Sequence, residues 1–347
     1  MGGFNSAFKI DGRLVGEGAP VYIVAEMSTN HGGSLSRAKE IIHAAYEAGA
    51  DAVKLQTYTA DTLTLNCPDE HFRIRGGLWD GQYLYDLYQS VAMPWEWHIP
   101  LAEEAARVGI TLFSSPFDSG AVDLLEELNY PAYKVASAEL IEHELIRSVA
   151  KTQKPVIIST GGASLHDIQQ AVAIMAEYEN PNLCLLKCTS AYPASYESMN
   201  LRTIPHLYEL THVPVGLSDH SLGISVPVAA VALGATFIEK HFMLDKSHQT
   251  ADQAFSLDPN EFAQMVQAIR QTESALGQVD YPLTTRQQRA LYAITDLQKG
   301  DVITTHQVKS LRPGGGIAPR HLQELLGLRV NRAVKWGEPL QWDMFCS

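Results

Sequence analysis

Eight short runs rich in β-branched and apolar residues recur along the chain, at 21–27, 52–57, 110–117, 132–137, 155–161, 184–193, 213–220 and 237–242. Most are followed by a stretch with helical periodicity, such as 36–48, 100–108, 121–128 and 168–177, several of which end at Gly or Asn. Strand and helix in strict alternation predict a parallel sheet with crossover helices. Eight such units predict a closed (β/α)8 TIM barrel, with the chemistry gathered at the C-terminal ends of the strands. An open doubly wound sheet is the alternative, but no G-x-G-x-x-G follows the first run.

After the eighth run, 258–276 reads as one amphipathic helix. The pattern then changes to short strand-like pieces, the turns Lys299-Gly300 and Trp336-Gly337, and the loop Arg312-Pro313-Gly314-Gly315-Gly316. The expected organisation is therefore a barrel over 1–280, a linker over 281–289 and a small β-rich domain over 290–347. A domain of that size buries little core by itself and is expected to lean on the barrel or on a second subunit.

The net charge of −13 excludes broad contact with nucleic acid or an anionic membrane, so an anionic ligand needs a local group of cations. No apolar run approaches the roughly 20 residues of a membrane span. The four cysteines show no C-x-x-C spacing and the N-terminal residues lack the basic and apolar regions of a secretory signal, which predicts a cytoplasmic protein.

Side chains alternate faces along a strand, so Val53 and Leu55 share one face while Lys54 and Gln56 share the other. With the apolar face against the helices, Lys54 turns inward; the same parity is expected of Lys134 and of Lys187. Buried ammonium groups require partners. Either Glu26, Glu139 and Glu239 pair with them or an anion sits at the barrel mouth.

Small hydroxyls also recur at strand ends: Ser114, Ser115, Ser137, Ser159, Thr160, Thr189, Ser190 and Ser218. Any one of them suits a turn, but together with lysines and backbone amides they suit phosphate. His220 closes the seventh run and His241 the eighth, so neighbouring strands present two histidines that one metal could bridge. Water and substrate oxygens would complete such an open site. Glu26 stands at the end of an apolar strand, followed by Asn30 and His31.

The segments AEMSTNHGGS, GADAVKLQTYTADTLTL, FSSPFD, AYKVAS, STG, LKCTSAYP, GLSDHSLGISVPVAAVALGA and IEKHFMLDKS resemble the sialic acid synthase family of phosphoenolpyruvate-dependent sugar acid synthases. DLQKGDVITTHQVKSLRPGGGI looks like the antifreeze-like (SAF) domain that follows the barrel in that family. Within it, FRIRGGLWDGQYLYDLY and DQAFSLDPNEF look most like the branch that makes pseudaminic acid.

The resemblance implies that phosphoenolpyruvate condenses with 2,4-diacetamido-2,4,6-trideoxy-L-altrose and that phosphate leaves with C–O cleavage. It implies that Lys54, Ser115, Lys134, Ser137, Ser159 and Ser218 hold phosphoenolpyruvate, and that His220 and His241 ligate a divalent cation (Mn2+, Mg2+ or Co2+). Glu26 matches the carboxylate near the reacting carbons. Phe117, Glu139, Tyr192 and Asp252 match positions that face the sugar, and Arg312 matches an arginine lent by the small domain of a partner in a domain-swapped homodimer.

Departures stand at Ser190, where sialic acid synthases carry Asn, at Thr250-Ala251-Asp252, which replaces Gly-Pro-Asp, and at Gly162, which replaces Met. The first two weigh against N-acetylmannosamine as substrate. The alternatives are N-acetylneuraminic or legionaminic acid synthesis, a pyruvate aldolase with Lys134 as Schiff-base nucleophile, and a non-catalytic sugar-binding protein. The resemblance assigns no role to Lys187.

Overall fold

The computed structural model describes residues 3–281 and 287–346. These form two compact units, Met1–Gly277 and Gln278–Ser347. Residues 282–286, within the stretch expected to be a linker, lie outside the described residues.

The first unit opens with an antiparallel hairpin, β1 (Ala7–Ile10) and β2 (Arg13–Gly16). Its turn is Asp11-Gly12, both at positive φ, the pair that a tight hairpin turn favours. Phe8, Ile10 and Val15 bury their side chains in the barrel core, so the hairpin plugs the N-terminal end of the barrel.

Eight strands follow: β3 (Tyr22–Glu26), β4 (Ala52–Thr57), β5 (Thr111–Pro116), β6 (Tyr133–Val135), β7 (Val156–Ser159), β8 (Leu183–Cys188), β9 (Val215–Asp219) and β10 (Phe237–His241). All neighbours pair in parallel, in sequence order, and β10 closes on β3. The expected eight-stranded barrel is thus the observed fold. The run at 184–193 is longer than its strand, because everything after Cys188 turns out into the barrel mouth.

The helices that wrap the barrel begin where the sequence supplies caps. Ser34 accepts the Arg37 amide, Ser164 forms a capping box with Asp167, and Asp258 does so with Glu261. Each helix then lays an apolar stripe on the sheet, as Ala38, Ile41, Ile42 and Ala45 do on helix Leu35–Glu47. Helix Pro259–Leu276 latches the far end of the barrel: Arg270 donates to the Val21 carbonyl at 2.9 Å and pairs with Asp51 at 3.3 Å, while Glu273 accepts the Val21 amide. Asp51 also pairs with Arg13 of the hairpin at 2.7 Å.

The second unit pairs β11 (Ala290–Ala293) with β12 (Val308–Leu311) and β13 (Arg329–Val330) with β14 (Phe345–Cys346), both antiparallel. Leu291, Leu297, Ile303, Val308, Ile317, Leu325, Val330, Val334, Leu340 and Met344 form a core of its own. Gly316 lies so close to the Leu340 carbonyl that an added Cβ would come within 2.9 Å of that oxygen, so only glycine fits. Among the described residues no helix is long and apolar enough to cross a membrane.

Candidate active site

A cavity of about 520 Å³ opens at the C-terminal ends of the barrel strands. Register explains its floor. Lys54 pairs with Glu26 and Phe113, Gln56 with Ser115, and Ser218 with both Cys188 and Glu239, so these side chains share the inner face. Glu26, Lys54, Lys134, Ser137, Ser159, Ser218, His220, Glu239 and His241 all line the cavity.

The two inward lysines have carboxylate partners. Lys54 Nζ lies 2.7 Å from Glu26 Oε2 and 3.8 Å from Glu239 Oε2, and it donates to Ser115 Oγ at 3.1 Å. Lys134 Nζ lies 3.8 Å from Glu239 Oε1 and donates to the Val135 carbonyl at 3.3 Å. Glu239 also accepts from Ser218 at 3.0 Å. Among the described residues Glu139 makes no ion pair with either lysine; it lines the cavity with its Oε2 buried and without a hydrogen-bond partner. Ion pairing and anion binding are compatible here, because an ammonium has three N–H groups and Lys134 makes no close ion pair.

Burial and charge shift these groups in different directions. Burial raises the Glu26 carboxyl to about 7 despite Lys54 beside it. Burial alone would raise Glu239 too, but Lys134 and Lys54 hold it below the usual range. Lys134 is lowered by burial, with Lys54 adding to the effect, whereas Lys54 is raised because Glu239 and Glu26 outweigh its burial. One protonatable carboxyl beside one ionised carboxylate is a pattern suited to acid–base work.

One corner of the cavity gathers the small hydroxyls of Ser137, Ser159 and Ser190. The Gly161 amide donates to Ser137 Oγ at 3.0 Å, and a Cβ at this position would strike Ser190 Oγ and come within 2.8 Å of Ser137 Oγ. Ser159 Oγ beside it is buried and has no hydrogen-bond partner. Gly161 thus packs directly against the side chains of Ser190, Ser137 and Cys188, and its lack of a side chain lets these small groups gather at one corner.

The rings of His220 and His241 lie 5.3 Å apart. His220 Nδ1 donates to the Thr189 carbonyl at 3.1 Å, so the neutral form of the ring carries its lone pair on Nε2. His241 Nδ1 is buried without a hydrogen-bond partner, 3.6 Å from Asp252 Oδ2. Burial, and then the charge of His220, keep His241 unprotonated well below the usual range, as a ligating imidazole must be. Burial would lower His220 as well, but its contact with Cys188 raises it. Among the described residues no group of three or more His, Cys, Asp or Glu side chains gathers as a full metal cage. Two available imidazole nitrogens fit an open site that other oxygens complete.

The remaining expected residues divide between the units. Phe117, Glu139, Tyr192 and Asp252 line the cavity. Asp252 accepts from Ser28, and from Thr29 at 3.3 Å. Arg312 follows β12 in the second unit, where it is exposed.

Lys187 corrects the expectation of a third inward lysine. It pairs with Leu217, while Leu186 and Cys188 share the inner face, and its ammonium binds the Cys188 carbonyl at 2.7 Å and Thr189 Oγ1 at 3.1 Å. The strand is apolar on both faces, so its parity is set by register and not by hydrophobic alternation.

Sequence reasoning also passed over three residues. Gln56 donates to Glu26 at 2.8 Å and to Ser28 at 3.1 Å; its parity with Lys54 was the available signal. Cys188 lies 3.8 Å from His220 Nδ1, and that contact overcomes burial to bring its thiol down to about 7. Lys240, fully buried, pairs with Asp219 at 2.6 Å behind the two histidines.

The chain is similar to known proteins over most of its length. Residues 41–281 match the NeuB family and residues 288–345 match the SAF domain. The chain is 49% identical over 331 residues to pseudaminic acid synthase of Campylobacter jejuni, covering 94% of this chain and 96% of that one. It is 46% identical to pseudaminic acid synthase of Helicobacter pylori, over 93% of this chain and 97% of that one. The solved N-acetylneuraminic acid (sialic acid) synthetase of Leptospira borgpetersenii superposes with a TM-score of 0.73 at 29% identity, covering 83% and 95% of the two chains. A parallel barrel with paired lysines and histidines at its mouth, continuous similarity over nearly the whole length and an SAF domain behind it agree on one assignment: the chain belongs to the NeuB family.

Proposed function

We propose that this enzyme condenses phosphoenolpyruvate with 2,4-diacetamido-2,4,6-trideoxy-L-altrose to give pseudaminic acid and phosphate. The observation that carries the reading is the meeting, in one cavity, of Lys54, Lys134, Ser137 and Ser159 with the His220–His241 pair. The relatives named pseudaminic acid synthase, at 46% and 49% identity, support the choice of sugar.

In this reading Lys54, Lys134, Ser115 and Ser218 hold the carboxylate and phosphate of phosphoenolpyruvate, with Ser137, Ser159 and the Gly161 corner taking phosphate oxygens. His220 and His241 would hold a divalent cation (Mn2+, Mg2+ or Co2+), which when bound would supply Lewis-acid polarisation of a carbonyl oxygen. Phe117, Glu139, Tyr192 and Asp252 orient the sugar so that its aldehyde carbon meets the methylene carbon of phosphoenolpyruvate.

As that carbon–carbon bond forms, the aldehyde oxygen takes a proton and C2 of the former phosphoenolpyruvate becomes oxocarbenium-like. Glu26 positions a water and accepts its proton as the water adds to C2, and the ionised Glu239 nearby stabilises the positive charge. The tetrahedral intermediate then breaks the bond from C2 to the bridging oxygen: phosphate leaves with that oxygen and takes the proton of the C2 hydroxyl, and C2 becomes the ketone.

Arg312 serves the active site of a partner in a domain-swapped homodimer. A cytoplasmic location accords with four free cysteines and with substrates made inside cells.

Lys134 carries one feature of a Schiff-base lysine, its lowered ammonium pKa. Borohydride trapping of pyruvate on Lys134, with activity surviving chelation, would favour the aldolase alternative. Phosphate release measured side by side with the altrose derivative, its legionaminic acid counterpart and N-acetylmannosamine tests the proposal; preference for either of the last two overturns it.

A further inference from the structure

The segment between β4 and β5 supplies a part of the cavity that the chemistry above does not use. Residues 72–88 fold back on themselves: Arg73 bridges Tyr83, the Ile74 amide donates to the Gln82 carbonyl at 2.8 Å, and the Gly81 amide returns to Ile74 at 2.9 Å. The Arg73 guanidinium fastens the turn by donating to the Gly81 carbonyl at 3.0 Å. From this folded loop and the helix after it, Ile74, Trp79, Leu84, Leu87 and Val91 line the cavity, joined by Leu63, with the Tyr88 phenol as the polar group among them. Trp79 packs on Tyr192 with ring centroids 5.9 Å apart. The floor of the cavity is charged, whereas this wall is aliphatic and aromatic.

That contrast constrains the substrate. The aldehyde end of the sugar must reach the charged floor, so its far end meets the apolar wall. In the diacetamido-trideoxy sugar the far end carries a methyl group at C6 and an acetamido methyl at C4; in N-acetylmannosamine both positions carry hydroxyls. A hydroxyl against such a wall loses its water without gaining a partner.

We infer that the wall built by Ile74, Trp79, Leu84, Leu87, Val91 and Leu63 is the specificity-determining surface of this enzyme, selecting amino sugars with methyl groups at the end remote from the aldehyde. The inference rests on the proposed reaction and adds to it the element that chooses the sugar.

The test substitutes two half-buried wall positions separately, Ile74→Asn and Leu84→Gln, with Ile74→Val as the conservative control. For each, kcat/KM is measured with the altrose derivative and with N-acetylmannosamine, and phosphoenolpyruvate affinity is measured by calorimetry as the check on folding. The expected result is a loss of about 10- to 200-fold for the altrose derivative, a far smaller change for N-acetylmannosamine, unchanged phosphoenolpyruvate affinity, and near-native selectivity in Ile74→Val. Equal losses for both sugars, or undiminished selectivity in both polar variants while phosphoenolpyruvate still binds, overturn the assignment of the wall. A native enzyme that prefers N-acetylmannosamine would instead overturn the reaction on which the inference rests.

Discussion

Lys54 Nζ lies 2.7 Å from Glu26 Oε2, yet burial still lifts the Glu26 carboxyl to about 7. Desolvation therefore outweighs the attraction between the pair. A carboxyl whose pKa is raised on folding stabilises the fold below its unfolded value, near 4.5, and loses that contribution as pH rises through about 7. Glu26→Gln should thus gain thermal stability relative to the native protein as pH goes from 5 to 8, by about 1–3 kcal/mol. Activity should fall by about 10²-fold or more. Thermal unfolding at the two pH values checks the sign, and a relative stability that falls with pH contradicts it.

Lys240 and Asp219 form a second buried pair. Both side chains are fully buried, and Asp219 also accepts the Ser221 amide at 2.9 Å, so the pair fixes the turn that carries His220 to the strand that carries His241. Lys240→Met strands the Asp219 charge and should cost about 3–5 kcal/mol in denaturant unfolding. Adding Asp219→Asn should recover part of that loss; a double variant no better than the single would show that the pair is not the cause.

Gly161→Ala probes the hydroxyl corner. The added methyl meets the ends of Ser190 and Ser137, which can move, so the fold should survive while KM for phosphoenolpyruvate rises by about 10-fold or more and KM for the sugar changes little. Equal effects on both constants would remove the corner from phosphate binding.

Arg312 yields a test by complementation. Arg312→Ala and Glu26→Gln should each be inactive, but a mixture of the two, exchanged into hybrid dimers, should regain partial activity, because one site then combines a native barrel with a native arginine. No recovery, or full activity of Arg312→Ala alone, argues against the swapped arrangement.

The barrel was legible because a parallel sheet wrapped by helices imposes a repeating strand–helix rhythm, and Lys54 and Lys134 were legible because their neighbours alternate. Lys187 was misread for the same reason: in a strand apolar on both faces the alternation vanishes, and only pairing with Ser159 on one side and Ser218 on the other sets which residues turn inward. The N-terminal hairpin carried its signal in Asp11-Gly12, a turn pair flanked by alternating residues. The apolar wall had no such signal, since Ile74, Trp79 and Leu87 lie in a loop and a short helix whose fold comes from local hydrogen bonds and not from periodicity.

In the proposed reaction the enzyme joins phosphoenolpyruvate to a sugar aldehyde and releases phosphate by cleavage at carbon. Phosphoenolpyruvate labelled with heavy oxygen at the bridging position, turned over with the altrose derivative and followed by mass spectrometry, tests it most directly. The label is expected to leave in the phosphate. Label retained in the sugar acid would contradict it.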